Sequence, residues 1–160
     1  MGVNRERLHV FVLPEDDDDR QLAAEFQAQI DFGRQRQMYV LDVANGWTRV
    51  VDLFVSVHID EMRRRPTRFM VLLVDFDEDQ NRLQKVKSAI PADLIDRVFV
   101  LGAWTKPEDL RHDIGPYGKV GSDMAADCRD GTDKTWGRPL LRHNGGELDR
   151  LRQHVRSILF

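Results

Sequence analysis

The sequence predicts a three-layer α/β domain, a central and mostly parallel sheet of about four strands with helices on both faces. Three observations carry this. Short apolar runs recur at Leu8–Leu13, Met38–Val43, Phe69–Val74 and Val98–Leu101. The stretches between them place apolar residues at helical spacing. Strands that alternate with helices imply right-handed crossovers and parallel pairing.

The first strand is followed by helix one, whose Leu22, Phe26 and Ile30 form a stripe at i, i+4, i+8. Asp16 to Asp19 precede that stripe and suit a helix start, where backbone N–H groups and the dipole favour negative charge. The second strand ends before Asn45-Gly46, which breaks the chain. Helix two is expected from about Trp47 to Arg65, with Trp47, Val50, Val51, Phe54, His58 and Met62 on one face. Arg63, Arg64 and Arg65 complement the dipole of its last turn, and Pro66 stops it. Strand three has no polar interruption, so it is placed centrally. Helix three carries Leu83, Val86 and Ile90, and strand four follows a short turn at Ala92–Ile95. Thr105-Lys106-Pro107-Glu108 reads as a capping box with Pro in the first turn. Residues 115–146 are rich in Gly and polar side chains, with one helix near Val120–Cys128. A last helix spans about Gly146–Ser157, and Ile158-Leu159-Phe160 is expected against the core.

At 160 residues one domain is expected. Such a domain buries roughly 70% of its unfolded surface. A net charge of −3 argues against gripping nucleic acid by bulk electrostatics alone. No apolar run approaches the ~20 residues of a membrane helix. Arg5, Glu6 and Arg7 fall where a signal peptide would be apolar. The single Cys128 excludes an internal disulfide and any multi-Cys zinc site. Together these point to a cytoplasmic protein that does not engage membranes.

Two strand ends carry the chemistry. The first strand runs into Glu15-Asp16-Asp17-Asp18-Asp19, the third into Asp75-Phe76-Asp77-Glu78-Asp79. In open α/β sheets ligands sit beyond the carboxyl ends of the strands. A strand order of 2-1-3-4 would set Glu15 beside Asp75 and Asp77. In an extended chain Asp75 and Asp77 point to one side and Phe76 to the other. Acids gathered this way suit Mg²⁺, which takes few carboxylates and keeps several waters, and paired cations can clamp both oxygens of a phosphoryl transfer. Asp75 follows six apolar residues and so lies at the edge of burial, where an unpaired acid is costly. The plainer reading is a solvated, helix-capping Asp run.

A Glu after strand one combined with Asp-x-Asp after strand three resembles the Toprim domain, a Rossmann-like module of topoisomerases, small primase-like proteins, maturation ribonucleases and overcoming-lysogenization-defect nucleases. The resemblance covers residues 1–112, most closely Leu8 to Leu110, and leaves 113–160 as a helical extension packed on that core. It implies a metal-dependent nuclease or nickase. Glu15, Asp75 and Asp77 would be its catalytic and metal-holding acids, with Asp18 and Asp79 as further ligands, and Mg²⁺ or Mn²⁺ as cofactor. Water activated by the cation would be the nucleophile. DNA or RNA would be the substrate, with a protein partner or a second copy supplying affinity. The family usually places Gly after its Glu. Here Asp16 stands there, which leaves open which acid of Glu15–Asp19 faces the crevice.

Arg142 and His143, just before the last helix, are candidates for steadying a phosphate, and Asn144 for capping that helix. His58 reads as a core histidine, Cys128 as helix packing, and Trp47, Trp104 and Trp136 as packing residues, with Trp104 near the crevice. Two other readings exist. A receiver-like phospho-acceptor would also gather acids at these strand ends and use Lys106-Pro107, but only one strand separates Asp75 from Lys106 where that pattern needs two. A non-catalytic partner subunit would keep the sheet without a working site.

Overall fold

The computed structural model describes residues 2–160. In chain order the elements are β1 (His9–Pro14), α1 (Asp17–Gln27), β2 (Met38–Val40), α2 (Trp47–Leu53), α3 (Ile59–Arg64), β3 (Arg68–Leu73), α4 (Arg82–Lys87), β4 (Val98–Leu101), α5 (Pro107–Asp113), α6 (Tyr117–Asp130) and α7 (Gly145–Leu159). The four strands form one parallel sheet in the order β2-β1-β3-β4. No helix among the described residues is long and apolar enough to cross a membrane.

Alternation along each strand feeds two cores. Val10, Val12, Val71, Leu73, Phe99 and Leu101 pack under α1, α6 and α7, against Leu22, Val120, Met124, Leu148 and Leu151. Phe11, Leu13, Met70, Leu72, Val98 and Val100 pack under the α2–α3 rod and α4, against Val50, Phe54, Met62 and Val86. β1 and β3 are buried along their whole length because a layer covers each face.

Several expectations are corrected. β2 ends at Val40, three residues earlier than its apolar run. Helix two is a rod in which a π-helical turn, Phe54–His58, joins α2 to α3. That turn still keeps Val50, Phe54 and Met62 facing inward with no exposure. Ile30 and Ile90 lie beyond α1 and α4, yet both are buried. The capping box at α5 does not form. Lys106 is the N-cap, without a side-chain bond, and Thr105 Oγ1 and Glu108 Oε2 have no partner. Asn144 does not cap α7 either.

Asn144 instead completes the sheet. Its Oδ1 accepts from Gly102 N–H at 3.1 Å and its Nδ2 donates to Gly102 C=O at 3.0 Å. One turn later Glu147 Oε1 accepts from Val100 N–H at 3.2 Å. The Trp104 N–H donates to Leu140 C=O at 2.8 Å. Side chains of the α7 start therefore stand in for a fifth strand along β4, closing an edge that would otherwise offer unpaired backbone groups. Glu147 is 3% exposed and is neutralised by Arg150 at 2.5 Å and Lys87 at 3.3 Å. Glu147→Ala is expected to destabilise the fold by about 2 kcal/mol, because it strands a buried N–H and removes the acid between two cations. The measurement is the urea midpoint. Glu147→Gln keeps the acceptor and is expected to lose less.

Gly102 also fixes how β4 meets β3. A Cβ there would fall 1.7 Å from Val74 O, so only glycine lets the two strand ends approach beneath the acidic loops.

Candidate functional site

The site begins with the β1–β3 pairing. Glu15 extends β1, donating its N–H to Leu73 C=O at 2.9 Å. Its side chain crosses to the neighbouring strand end, where Oε2 accepts the Asp75 N–H at 2.7 Å. The third acid comes from α1. Asp16 caps that helix, its Oδ1 accepting the Asp19 N–H at 3.0 Å, and the first turn carries Asp19 inward to 1% exposure. Glu15, Asp19 and Asp75 each present one carboxylate oxygen within 4.8 Å of the others.

These acids fit a hard divalent cation. Both carboxylate oxygens of Asp19 and Oδ1 of Asp75 are buried without a hydrogen-bond partner. Buried polar atoms are nearly always partnered, so three orphaned oxygens on two neighbouring acids call for a cation or a proton. The donor set is all oxygen, the preference of Mg²⁺ and Mn²⁺. Burial, then the charges of Asp75 and Asp16, pushes the Asp19 carboxyl far above the usual carboxylate range. Burial, then Glu15 and Asp16, raises Asp75. Burial raises Glu15 too, against the pull of the Asp75 N–H. Without a cation such a set keeps a proton at neutral pH.

The other expected site residues lie elsewhere. Asp77 does not continue an extended chain, since Asp77 and Glu78 adopt φ of 48° and 58°. The chain turns out at Phe76, which goes into the core. Asp77 is left at the rim with its side chain 62% exposed and 3.5 Å from Arg82. Asp79 closes its own loop, accepting from Asn81 N–H at 2.8 Å and Lys85 Nζ at 2.9 Å. Asp18 is turned away from the cluster by about 100° of helix rotation relative to Asp19 and accepts the Tyr117 hydroxyl at 2.9 Å. Arg142 is exposed. His143 is held by packing, with Nε2 donating to Gly102 C=O at 2.8 Å and its ring 4.6 Å from Phe76 and 5.2 Å from Trp104. Burial lowers its pKa, so the ring is neutral.

Two residues that the sequence reading did not single out matter here. Asp19 was hidden in a run of four identical residues. The stripe Leu22–Phe26, continued back one turn, reaches it. Arg82 has its guanidinium stacked 4.4 Å from the Trp47 ring and donates Nη1 to Asp75 C=O at 2.8 Å. It also lies 3.8 Å from Asp79. It pins the loop that aims Asp75, and its charge lowers the Glu15 pKa. Tyr117, bonded to Asp18, opens onto a cleft of about 460 Å³ lined also by Gln21, Arg111 and His112.

Comparison with protein-family models, curated proteins and solved structures finds no match for this chain.

Proposed function

We propose that this chain performs divalent-metal-dependent phosphodiester chemistry on nucleic acid, as a Toprim-type nuclease or nickase acting on DNA or RNA. The observation that supports it best is the convergence of Glu15, Asp19 and Asp75, with partnerless oxygens on the two aspartates, beyond the carboxyl ends of adjacent parallel strands. Mg²⁺ or Mn²⁺ held there would polarise a phosphoryl oxygen and make water nucleophilic near neutral pH. Glu15 ties the β1 end to the Asp75 backbone, Asp16 aims Asp19, and Arg82 fixes the Asp75 carbonyl. Asp77, exposed at the rim, can take the proton that the attacking water gives up. Arg111 and His112 in the neighbouring cleft offer further phosphate contacts, whereas the His143 Nε2 is taken by the Gly102 carbonyl. The acidic net charge leaves most nucleic-acid affinity to a partner protein or a second copy.

Labelled DNA and RNA oligonucleotides test this. Cleavage is expected with Mn²⁺, none with EDTA, and none for Asp75→Asn. No cleavage of either polymer by the wild type, with or without cation, would remove the proposal.

One observation favours a non-catalytic reading. Asp19 and Asp75 can satisfy each other by sharing a proton, which requires no cation and suits a structural subunit. That reading expects no Mn²⁺-dependent shift in melting temperature.

A further inference from the structure

The opposite pole of the sheet carries the inverse problem, a buried cation without an anion. Arg68 opens β3 and is 3% exposed. Its guanidinium lies 3.8 Å from the Phe11 ring centroid. Its Nε donates to His9 Nε2 at 3.1 Å. His9 is fully buried and bonds Arg7 C=O through Nδ1 at 2.8 Å, so Nε2 is the lone-pair nitrogen and the ring is neutral. Among the described residues no carboxylate lies within ion-pair distance of Arg68, and neither terminal nitrogen donates a hydrogen bond.

Its surroundings add positive charge. Arg5 and Arg65 lie close enough to depress the Arg68 pKa, to about 10, after burial itself. Arg65 Nε is buried with no hydrogen-bond partner. The acid felt at Arg68 is Glu61, and Glu61 is engaged by Arg64 at 2.8 Å and Arg65 at 3.6 Å. His58 faces the group from the π-helical turn, and burial keeps it neutral. Buried charges in proteins are paired or bind ions. Arg97, nearby, shows the alternative, with Nη1 shared among the carbonyls of Met62, Arg65 and Arg68. Arg68 has no such set.

We infer that Arg68, flanked by Arg65 and Arg5, forms an oxyanion site at the amino-terminal pole of the sheet, and that its ligand is a phosphate group. The aromatic stack and the His9 bond fix the plane of the guanidinium, leaving its Nη edge to receive two oxygens in the bidentate geometry phosphate allows. Six strand residues separate this pole from the acid cluster, roughly 20 Å at 3.3 Å per residue. The site is therefore distinct from the proposed catalytic centre and holds whether or not that centre cuts nucleic acid.

The test is thermal melting of the full chain in EDTA at pH 7, with phosphate against chloride at matched ionic strength. Phosphate stabilises proteins generally by exclusion, so the informative quantity is the difference between wild type and variants. Wild type is expected to show a saturable extra rise of roughly 5 °C at hundredfold excess over Kd. Arg65→Ala, at a partly exposed position, is expected to show less, and Arg68→Met none. Arg68→Met can alter the baseline, since an apolar side chain often replaces an unpaired buried charge without loss. Arg65→Ala keeps the result readable in that case. A 5′-phosphorylated oligonucleotide beside its unphosphorylated twin separates a polymer-borne phosphate from the free ion. Identical phosphate responses in all three proteins would overturn the inference.

Discussion

Asp19→Asn is expected to abolish the Mn²⁺-dependent rise in melting temperature and to cut cation affinity by roughly 10²-fold or more. Outer-shell partners alone are worth 10- to 100-fold, and Asp19 presents an oxygen directly to the cluster. The same substitution is expected to raise the melting temperature in EDTA. Asn has the shape of Asp, and its amide can donate to Asp75 without the proton that folding must otherwise load onto the buried acid at neutral pH. The Mn²⁺ shift is the diagnostic quantity, because a proton-sharing pair without a cation site would show none in the wild type or in Asp19→Asn. Asp77→Asn is the contrast. Its carboxylate is largely in solvent and loosely paired with Arg82, so the Mn²⁺ shift is expected to survive there. The family pattern gives the reverse assignment, with Asp77 in the metal set and Asp19 outside it. Calorimetric titration with Mn²⁺ on the two variants decides between them, and a normal titration for Asp19→Asn would dissolve the cluster proposed here.

What the sequence made legible follows the strength of its periodic signals. The runs at β1, β3 and β4 are nearly unbroken apolar segments, and burial under two helical layers is the condition that produces such runs. Alternation implied parallel pairing, whereas the order 2-1-3-4 was only a condition of the reading; the sheet meets it, which brings Glu15 to Asp75 but not to Asp77. Two steps were not legible. Extension of the chain past Asp75 was assumed, but positive φ at Asp77 and Glu78 bends it away, and neither residue is a glycine that would have announced the turn. In the Asp run, composition could not say which acid points inward. The Asp16 cap sets that through the helix phase, and the phase was written in the Leu22–Phe26 stripe. The Asn144 cap failed for a different reason. An Asn before a helix usually caps it, but the bare edge of β4 competes for the same amide, and two bonds to Gly102 satisfy it more fully.

Raising the pH from 7 to 8 is expected to lower the stability of the cation-free protein and to enlarge the Mn²⁺-dependent rise in melting temperature. Asp19 and Asp75 have folded-state pKa values raised, by burial first, above those of the unfolded chain. The folded state therefore binds more protons than the unfolded state once the pH exceeds about 4, and stability falls as the pH climbs. The contribution is complete below the unfolded values and is lost as the pair is forced to ionise. Below neutrality other groups pull the opposite way. His9, His58 and His143 are held neutral by burial, with pKa values lowered, so stability drops as the pH falls through about 6.5. Above about pH 8.5 the buried Cys128 thiol, raised in pKa, adds its own loss. The interval from pH 7 to 8 isolates the acids. A cation must displace the proton they share, so its apparent affinity rises with pH. Subtracting the Asp19→Asn curve from the wild-type curve removes the histidine and cysteine contributions. A difference that stays flat across the interval would mean that Asp19 and Asp75 hold no proton in common and that the acids at the two strand ends act independently.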